Sequence, residues 1–423
     1  MRASRSFAVL ATAAVLVVAT SAVGPTPVLD AETGRAASDA LLVHSAVYTM
    51  LAPLCNLLDA LTLLSLRQHY AVLATVMLTL IAVRGTLARS RRTSVRREAT
   101  VTFWTLGAVI LVYGGGAIVP RPMAGIAMLN PDDVVIDFHS HTNFSWDARQ
   151  WFTARRNREW HRAAGYNVAY VSDHRSLDGA RIAMTRNPAR AGDGVTLLPA
   201  LEARDQYQHV IAIGIDTTFA FDPKGDWHDP PRDSALAITA SAPILILTVP
   251  GNLSMLPQNE LRGYARLYAV ELSDGAPKGI GVLQQRRADI LKFADTLNLA
   301  LVAGSDNHGW GRTAAGWSVM RIPRWTTMRA PELDSTIQRV IRIDRRHAVR
   351  VYVRDSPNPG NSVIAAAFTV PLVIWRVLVD LDWPERISWL GWIVLIASIA
   401  IMPMSRAARE TTPPAARRKP EST

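Results

Sequence analysis

Hydrophobic runs gather toward the two ends of this chain, while short apolar segments alternate with helical patterns through its middle. The end runs lie near 7–23, 41–64, 70–83, 101–119, 362–381 and 387–404, and they approach the roughly 20 residues that a membrane-spanning helix needs. The stretch 41–83 is too long for one span, and Arg67-Gln68-His69 reads as a turn between two. Trp383, Trp389 and Trp392 bracket the last loop, where tryptophan favours the membrane interface. The first run follows Arg2 and Arg5 and reads as a signal anchor, because no small-x-small cleavage site stands out before Gly24-Pro25. The pattern predicts a membrane region over 1–127 with about four spans, a second over 356–404 with two, and a basic, disordered tail over 405–423.

Between them, 128–355 reads as a globular α/β unit. Segments 134–138, 167–171, 195–201, 209–213, 243–249, 267–272 and 299–302 are rich in Val, Ile and Leu with little polar alternation. That is the pattern of strands buried on both faces of a parallel sheet. Helical patterns over 149–164 and 282–297 fall between them, and the recurring order predicts a barrel or doubly wound α/β fold.

Composition sharpens this division. The chain is 49% hydrophobic and carries a single cysteine, Cys55, inside an apolar run, so neither a disulfide nor a thiolate metal site is expected. The formal charge of +11 invites a nucleic-acid reading, but it is localised. Residues 84–98 carry a net of +5, the tail 405–423 a net of +3, and Arg2 and Arg5 add +2. Basic residues beside apolar spans orient a chain in a bilayer and contact anionic lipid, so no specific nucleic acid is expected as a partner. With six spans and the N-terminus inside, the middle unit and the tail fall in the cytoplasm, and the 84–98 loop falls outside. Arg121, Arg345, Arg346, Arg350 and Arg354 at the edges of the middle unit tip the expectation toward a multi-pass protein of the cell membrane whose middle unit faces the cytoplasm.

Candidate chemistry sits at the ends of the strands, the edge where α/β barrels collect catalytic groups. The first strand runs into His139-Ser140-His141, whose imidazoles, two apart in an extended segment, point to one side. The next ends in Ser172-Asp173-His174; Glu202 follows the third, His209 opens the fourth, and the last runs into Ser305-Asp306-Asn307-His308. Neutral imidazoles and carboxylates gathered on one rim suit Zn, Mn or Fe.

These motifs, in this order, resemble the PHP (polymerase and histidinol phosphatase) family over roughly 132–310. The resemblance implies a distorted (β/α)7 barrel, here flanked by transmembrane helices, that holds two or three divalent metal ions. It implies hydrolysis of phosphomonoester or phosphodiester bonds by a metal-activated water. His139, His141, Glu202 and Asp306 match ligands of a first metal, with Glu202 bridging to a second that His209 also binds. His174 and His308 match ligands of a third, and Asp147 stands where the family places a further ligand, although it also reads as a helix N-cap. Asp306, His308 and Arg175 are the candidate catalytic residues, and Arg175 and Arg204 the candidates to hold a substrate phosphate, with Arg312 a weaker one of the same kind. The family's usual His-Pro pair is replaced by Val249-Pro250, which removes one ligand; Glu271 is a candidate substitute or a structural acid.

Other polar residues take plainer readings. His161, His228 and His347 are expected to be solvated, and His44 and Asp59 to be polar groups within apolar spans. The alternatives are an amidohydrolase-like metal hydrolase, which also opens on H-x-H, and a degenerate barrel serving as a membrane-coupled binding or sensor module. The substrate is expected to be a phosphorylated small molecule or lipid.

Overall fold

The computed structural model describes residues 2–91, 94–174, 176–205, 208–214, 243–248, 267–356, 358–360 and 362–410. The N-terminal part comprises helix α1 (Arg2–Ala19), strands β1 (Val28–Asp30) and β2 (Ala40–Val43), and helices α2 (Ala46–Met50), α3 (Ala52–Thr62), α4 (Leu66–Arg91) and α5 (Val95–Ile118). The first half of the middle unit follows as β3 (Gly125–Met128), β4 (Asp133–Ser140), α6 (Ala154–Ala163), β5 (Val168–Val171), α7 (Asp178–Met184), β6 (Thr196–Asp205) and β7 (Gln208–Ile213). It continues with β8 (Ile244–Leu247), β9 (Leu267–Asp274), α8 (Pro277–Leu297), β10 (Ala300–Gly304), β11 (Gly316–Arg321), α9 (Ala330–Asp344) and β12 (Arg350–Arg354). Helices α10 (Val363–Ala367), α11 (Thr369–Asp380) and α12 (Trp383–Glu410) close the chain.

All seven strands expected from the sequence are present, as β4 through β10. They lie in a ten-stranded sheet of order β1-β12-β11-β4-β5-β6-β7-β8-β9-β10, which curls until β10 packs against β4 and β11. Strands β4, β5 and β6 run parallel, as do β8, β9 and β10, but β7 is antiparallel to both of its neighbours, a departure from the all-parallel expectation. The fold is therefore mixed α/β with a curled sheet. Every residue of β4, β5 and β10 is buried, which accounts for their unbroken apolar pattern. Phe138 stacks on Tyr170 in the interior, and α9 covers the sheet with Leu333, Ile337 and Ile341, spaced four apart along one helical face.

The sequence expectation for the membrane regions needs correction. The run 41–64 is not a spanning helix: it divides into β2 and the short helices α2 and α3, and β2 pairs with β3. Strand β1 pairs with β12, so the central sheet recruits residues from the stretch assigned to the N-terminal membrane region. The run 362–381 breaks at Phe368 into α10 and α11. Among the described residues, two helices are long and apolar enough to cross a membrane, Leu66–Ser90 and Val95–Ile118, each with 6% of its apolar window buried. Ala8–Ala22 is a shorter apolar helix.

Asp59 lies between α3 and the sheet rather than inside a span. It is fully buried, and it pairs with Arg121, with Arg354 at 2.7 Å and with the Tyr48 hydroxyl at 3.1 Å. Burial opposes its ionisation, but Arg354 and Arg121 outweigh that cost and hold its carboxyl below the usual range. This knot ties α3 to the last strand and to the segment leaving α5.

The end of α5 and the end of α3, just ahead of α4, are both bonded to the loop between β10 and β11. The amide of Gly311 donates to the carbonyl of Ala117 at 2.9 Å, and that of Thr313 to the Thr62 hydroxyl at 3.3 Å. Arg386 of α12 donates to Val17 O and to Thr20 Oγ1, so the C-terminal end of α1 meets the start of α12. Trp389 of α12 and Tyr113 of α5 pack against a cluster that includes Val72 of α4 and Val373 of α11. Each of the three long helices enters this cluster within about two turns of its sheet-side end.

Candidate metal centre

The centre is built where the ends of β4 and β10 meet. The Asp137 carboxylate is fully buried; its Oδ1 accepts from the amides of His139 and Ser305, both at 3.0 Å. The carbonyl of His139 accepts from Ser305 N at 3.1 Å and Asp306 N at 2.9 Å, and His141 N donates to Asn307 O at 3.2 Å. The two motifs, more than 160 residues apart in the chain, are thus sewn together by main-chain bonds. Asp306 adopts a φ of 45°, the left-handed region in which short polar residues are enriched. Gly304 leaves the room the seam needs, because a Cβ there would stand 2.4 Å from Glu271 Oε1 and 2.5 Å from His139 Cβ.

All eight residues expected to bind metal converge on this rim. His139 Nε2 stands 3.1 Å from His141 Nε2, 3.0 Å from Glu202 Oε2 and 3.4 Å from Asp306 Oδ1. His141 Nε2 lies 3.2 Å and 3.4 Å from the same two oxygens. Glu202 Oε1 meets His209 Nδ1 at 2.5 Å, and His174 Nε2 lies 3.5 Å from Glu202 Oε2 and from Asp147 Oδ2. His308 Nε2 is buried 3.2 Å from Asp147 Oδ1 but forms no well-directed hydrogen bond. Three overlapping groups have the spacing to hold an ion: His139, His141 and Asp306; His174, Glu202 and His209; and His141, His174 and His308. Arg175, the Arg204 side chain and Val249 lie outside the described residues, as does His228.

Two residues stand behind the cluster, one as the structural acid that the sequence allowed and one in a role that it missed. Glu271 sits behind His139, accepting at 2.9 Å from Nδ1 and leaving Nε2 toward the other donors. His161, expected to be solvated, is fully buried, with Nε2 2.7 Å from Asp137 Oδ2 and Nδ1 2.8 Å from Asn157 O. The signal for it was the periodicity of α6, where Asn157, Trp160 and His161 share the buried face. Asn157 in turn donates to His141 O at 2.8 Å. His347 is exposed as expected, while His44 lies outside any spanning helix, stacked on Tyr48 and near Asp382 and Glu385.

The electrostatics are those of a site short of positive charge. Burial alone would push the His139 imidazole down, but Glu202, Glu271 and Asp306 outweigh it and hold its pKa well above 6.5. His308 is raised to about 9: burial opposes the shift, and Asp147 and Asp306 drive it. His174 is raised against burial by Asp147 and Glu202. The carboxylates respond in the opposite sense: burial would raise Glu202 and Asp306, yet His139 and its neighbours pull Glu202 well below its usual range and Asp306 to about 2.

No protein-family model matches the chain, and none of the curated proteins matches it in sequence. Among solved structures, PsfC from Pseudomonas syringae is similar at 16% identity and a TM-score of 0.38, covering 58% of this chain and 98% of that one. A two-domain protein from Bacteroides vulgatus, described as containing a predicted PHP-like metal-dependent phosphoesterase, is 15% identical with a TM-score of 0.32, covering 52% of this chain and 65% of that one. An amidohydrolase from Chromobacterium violaceum is 14% identical with a TM-score of 0.32, covering 47% and 96% respectively.

A cation entering this site must displace the protons that His139, His174 and His308 hold above pH 6.5. Metal binding at neutral pH is therefore expected to release protons and to tighten as pH rises. Calorimetry in buffers of differing ionisation heat measures this, and a buffer-independent enthalpy would contradict it. The sign for the metal-free fold is the reverse: the raised His308 contributes stability fully below about pH 6.5, which is lost as pH climbs through about 9. Glu271→Gln is expected to weaken metal affinity by roughly 10–100-fold by loosening His139, as read by chelator competition; unchanged affinity would refute the orienting role.

Proposed function

We propose that this chain is a membrane-anchored, metal-dependent hydrolase of phosphomonoester or phosphodiester bonds. The observation that carries this reading is that Nε2 of His139 and of His141 stand 3.1 Å apart and each lies 3.0–3.4 Å from a Glu202 oxygen and an Asp306 oxygen. Ligands about 2.1 Å from a common centre in a tetrahedral array stand roughly 3.4 Å apart, so this donor set fits a divalent ion such as Zn, Mn or Fe. Glu202 would share its second oxygen with a further ion at His209 and His174, and His308 with Asp147 supplies the donors for a third. Ions bound there would polarise a phosphoryl oxygen and ease deprotonation of a water.

The chain's own groups supply the rest. Asp306 and His308 border the same space with their protonation pushed apart, to about 2 and about 9. If two ions rather than three are held, His308 is left to carry a proton for the departing oxygen. Arg175 and Arg204 stay the proposed phosphate holders from the sequence, with Arg175 also a catalytic candidate. Arg149 joins them: its guanidinium lies 3.7 Å over the Trp310 ring, its amide donates to His308 O, and among the described residues no carboxylate pairs with it.

Purified protein is expected to hold at least one metal ion per chain and to release product from phosphoesters, and His141→Ala to abolish that release. Turnover of amides or lactones instead would favour an amidohydrolase-like enzyme. Protein without metal and without hydrolysis under added Mn or Zn would favour a binding module.

We further infer that α1, α4, α5 and α12 anchor the chain in the bilayer and that the middle unit faces away from the cytoplasm, the reverse of the sequence expectation. With 41–64 folded against the sheet, the basic flanks no longer conflict. Arg2 and Arg5 of α1, Arg84 and Arg89 of α4, Arg96 and Arg97 of α5, and Arg406 and Arg409 of α12 lie at the helix ends opposite those that meet the sheet, and basic flanks mark the cytoplasmic side. The arginines that argued otherwise are spent on contacts: Arg121 and Arg354 on Asp59, Arg346 on Glu32 and Asp295, Arg350 on Asp39 and Asp133, and Arg345 on the Tyr268 ring. In a Cys55→Ser background, an impermeant thiol reagent applied to intact cells is expected to label Thr33→Cys but not Ser90→Cys; the opposite labelling would refute this orientation.

A further inference from the structure

Aromatic side chains line one edge of the candidate site and lead toward the long apolar helices. The loop after His141 carries Phe144, Trp146 and Trp151, which are 40%, 75% and 41% exposed. The Trp146 ring lies 6.1 Å from that of His174, and the next residue, Asp147, pairs with His174 and His308. Beyond it, Arg149 bridges by its amide to His308 and by its guanidinium to Trp310. Gly311 then touches α5 backbone to backbone, since a Cβ there would stand 2.3 Å from the carbonyl oxygen of Val119. The rim is thus continuous from the imidazoles to the end of an apolar helix.

Large apolar rings left in water forgo the free energy of burial, and a group of them beside a binding site marks a surface meant to be covered. Tryptophan beside the end of a spanning helix sits where the membrane interface favours it. Resting on the phosphoesterase reading above, we propose that the substrate is a phosphoester whose apolar tail stays in the non-cytoplasmic leaflet while its headgroup enters the site across this rim. The phosphoryl group meets the imidazole and carboxylate cluster, Arg149 lies beside it, and the tail follows Phe144, Trp146 and Trp151 toward α5. The tail needs no enclosed cavity in the protein because the bilayer solvates it.

The test uses the full chain in phosphatidylcholine bilayers with Mn or Zn present. The probes are p-nitrophenyl phosphodiesters bearing methyl, hexyl or dodecyl tails, and alkyl phosphates of the same lengths. kcat/KM is expected to rise at least tenfold from methyl to dodecyl in the series that is hydrolysed, because each added methylene gains apolar contact. Trp146→Ser combined with Phe144→Ser is expected to flatten that dependence on tail length. Rates equal across tail lengths would overturn this proposal alone. So would faster turnover of thymidine 5′-(p-nitrophenyl phosphate) than of the dodecyl ester, since a base stacked on Trp146 would then explain the rim. No hydrolysis in either series would overturn the phosphoesterase reading and this proposal with it.

Discussion

The bond on which the site depends is the one Asp137 makes twice. A single buried carboxylate oxygen accepts from the amide of His139 on β4 and from that of Ser305 beyond β10. Strands β4 and β10 stand six apart in the sheet order, and curling alone would bring them near without fixing their register. Two charge-assisted bonds to one oxygen fix it, and Asp306 and His308 then fall opposite His139 and His141. His161 closes the other side of the carboxylate from α6, where water could not otherwise satisfy it. The negative charge held there is part of the same electrostatic design, in which buried acids outnumber the permanent cations near the rim among the described residues.

That design explains which parts of the site were legible in the sequence. Ligand-type residues announced themselves because histidines and acids at the ends of apolar strands have few structural uses. The second layer did not. Glu271 and His161 reach their partners across the interior from distant segments, and nothing in local spacing separates a residue that faces a metal from one that stands behind a ligand. Glu271 was noticed but left open between ligand and structural acid, since a strand pattern gives alternation and not the curl that decides what lies opposite. The core strands were legible for the same reason as the ligands: burial on both faces leaves an unbroken apolar run. Strands β1, β11 and β12 were not, because they are short or antiparallel additions whose patterns resemble loops and helix flanks.

The membrane regions illustrate the limit of hydropathy. The run 41–64 is apolar enough to span, yet it carries Asp59, and one buried acid with two arginine partners redirects the segment onto the sheet. Those partners lie far along the chain, so hydropathy could register the acid's cost but not its compensation. The same pairing takes Arg121 and Arg354 out of the count of flanking charge. An arginine held against a buried carboxylate contributes nothing to orientation, whereas in the proposed orientation the arginines near 84–98 mark the cytoplasmic side.

Distance between the chemistry and the helices is the remaining constraint, and it is short. His308 and Gly311 are three residues apart, and Gly311 is bonded to the last turn of α5. Only glycine fits there, because any side chain would push the loop off the helix end. A tether through a flexible linker would hold the barrel near a membrane but leave the site free to face any direction. With α5 in the bilayer, as proposed, a tether through the loop that carries two of the cluster's donors would fix the mouth of the site relative to the membrane. Attachment of this kind gains nothing for a substrate arriving from bulk water, which could reach the site in any orientation. It does gain something for a substrate confined to a plane, because a fixed mouth turns a two-dimensional search into productive encounters.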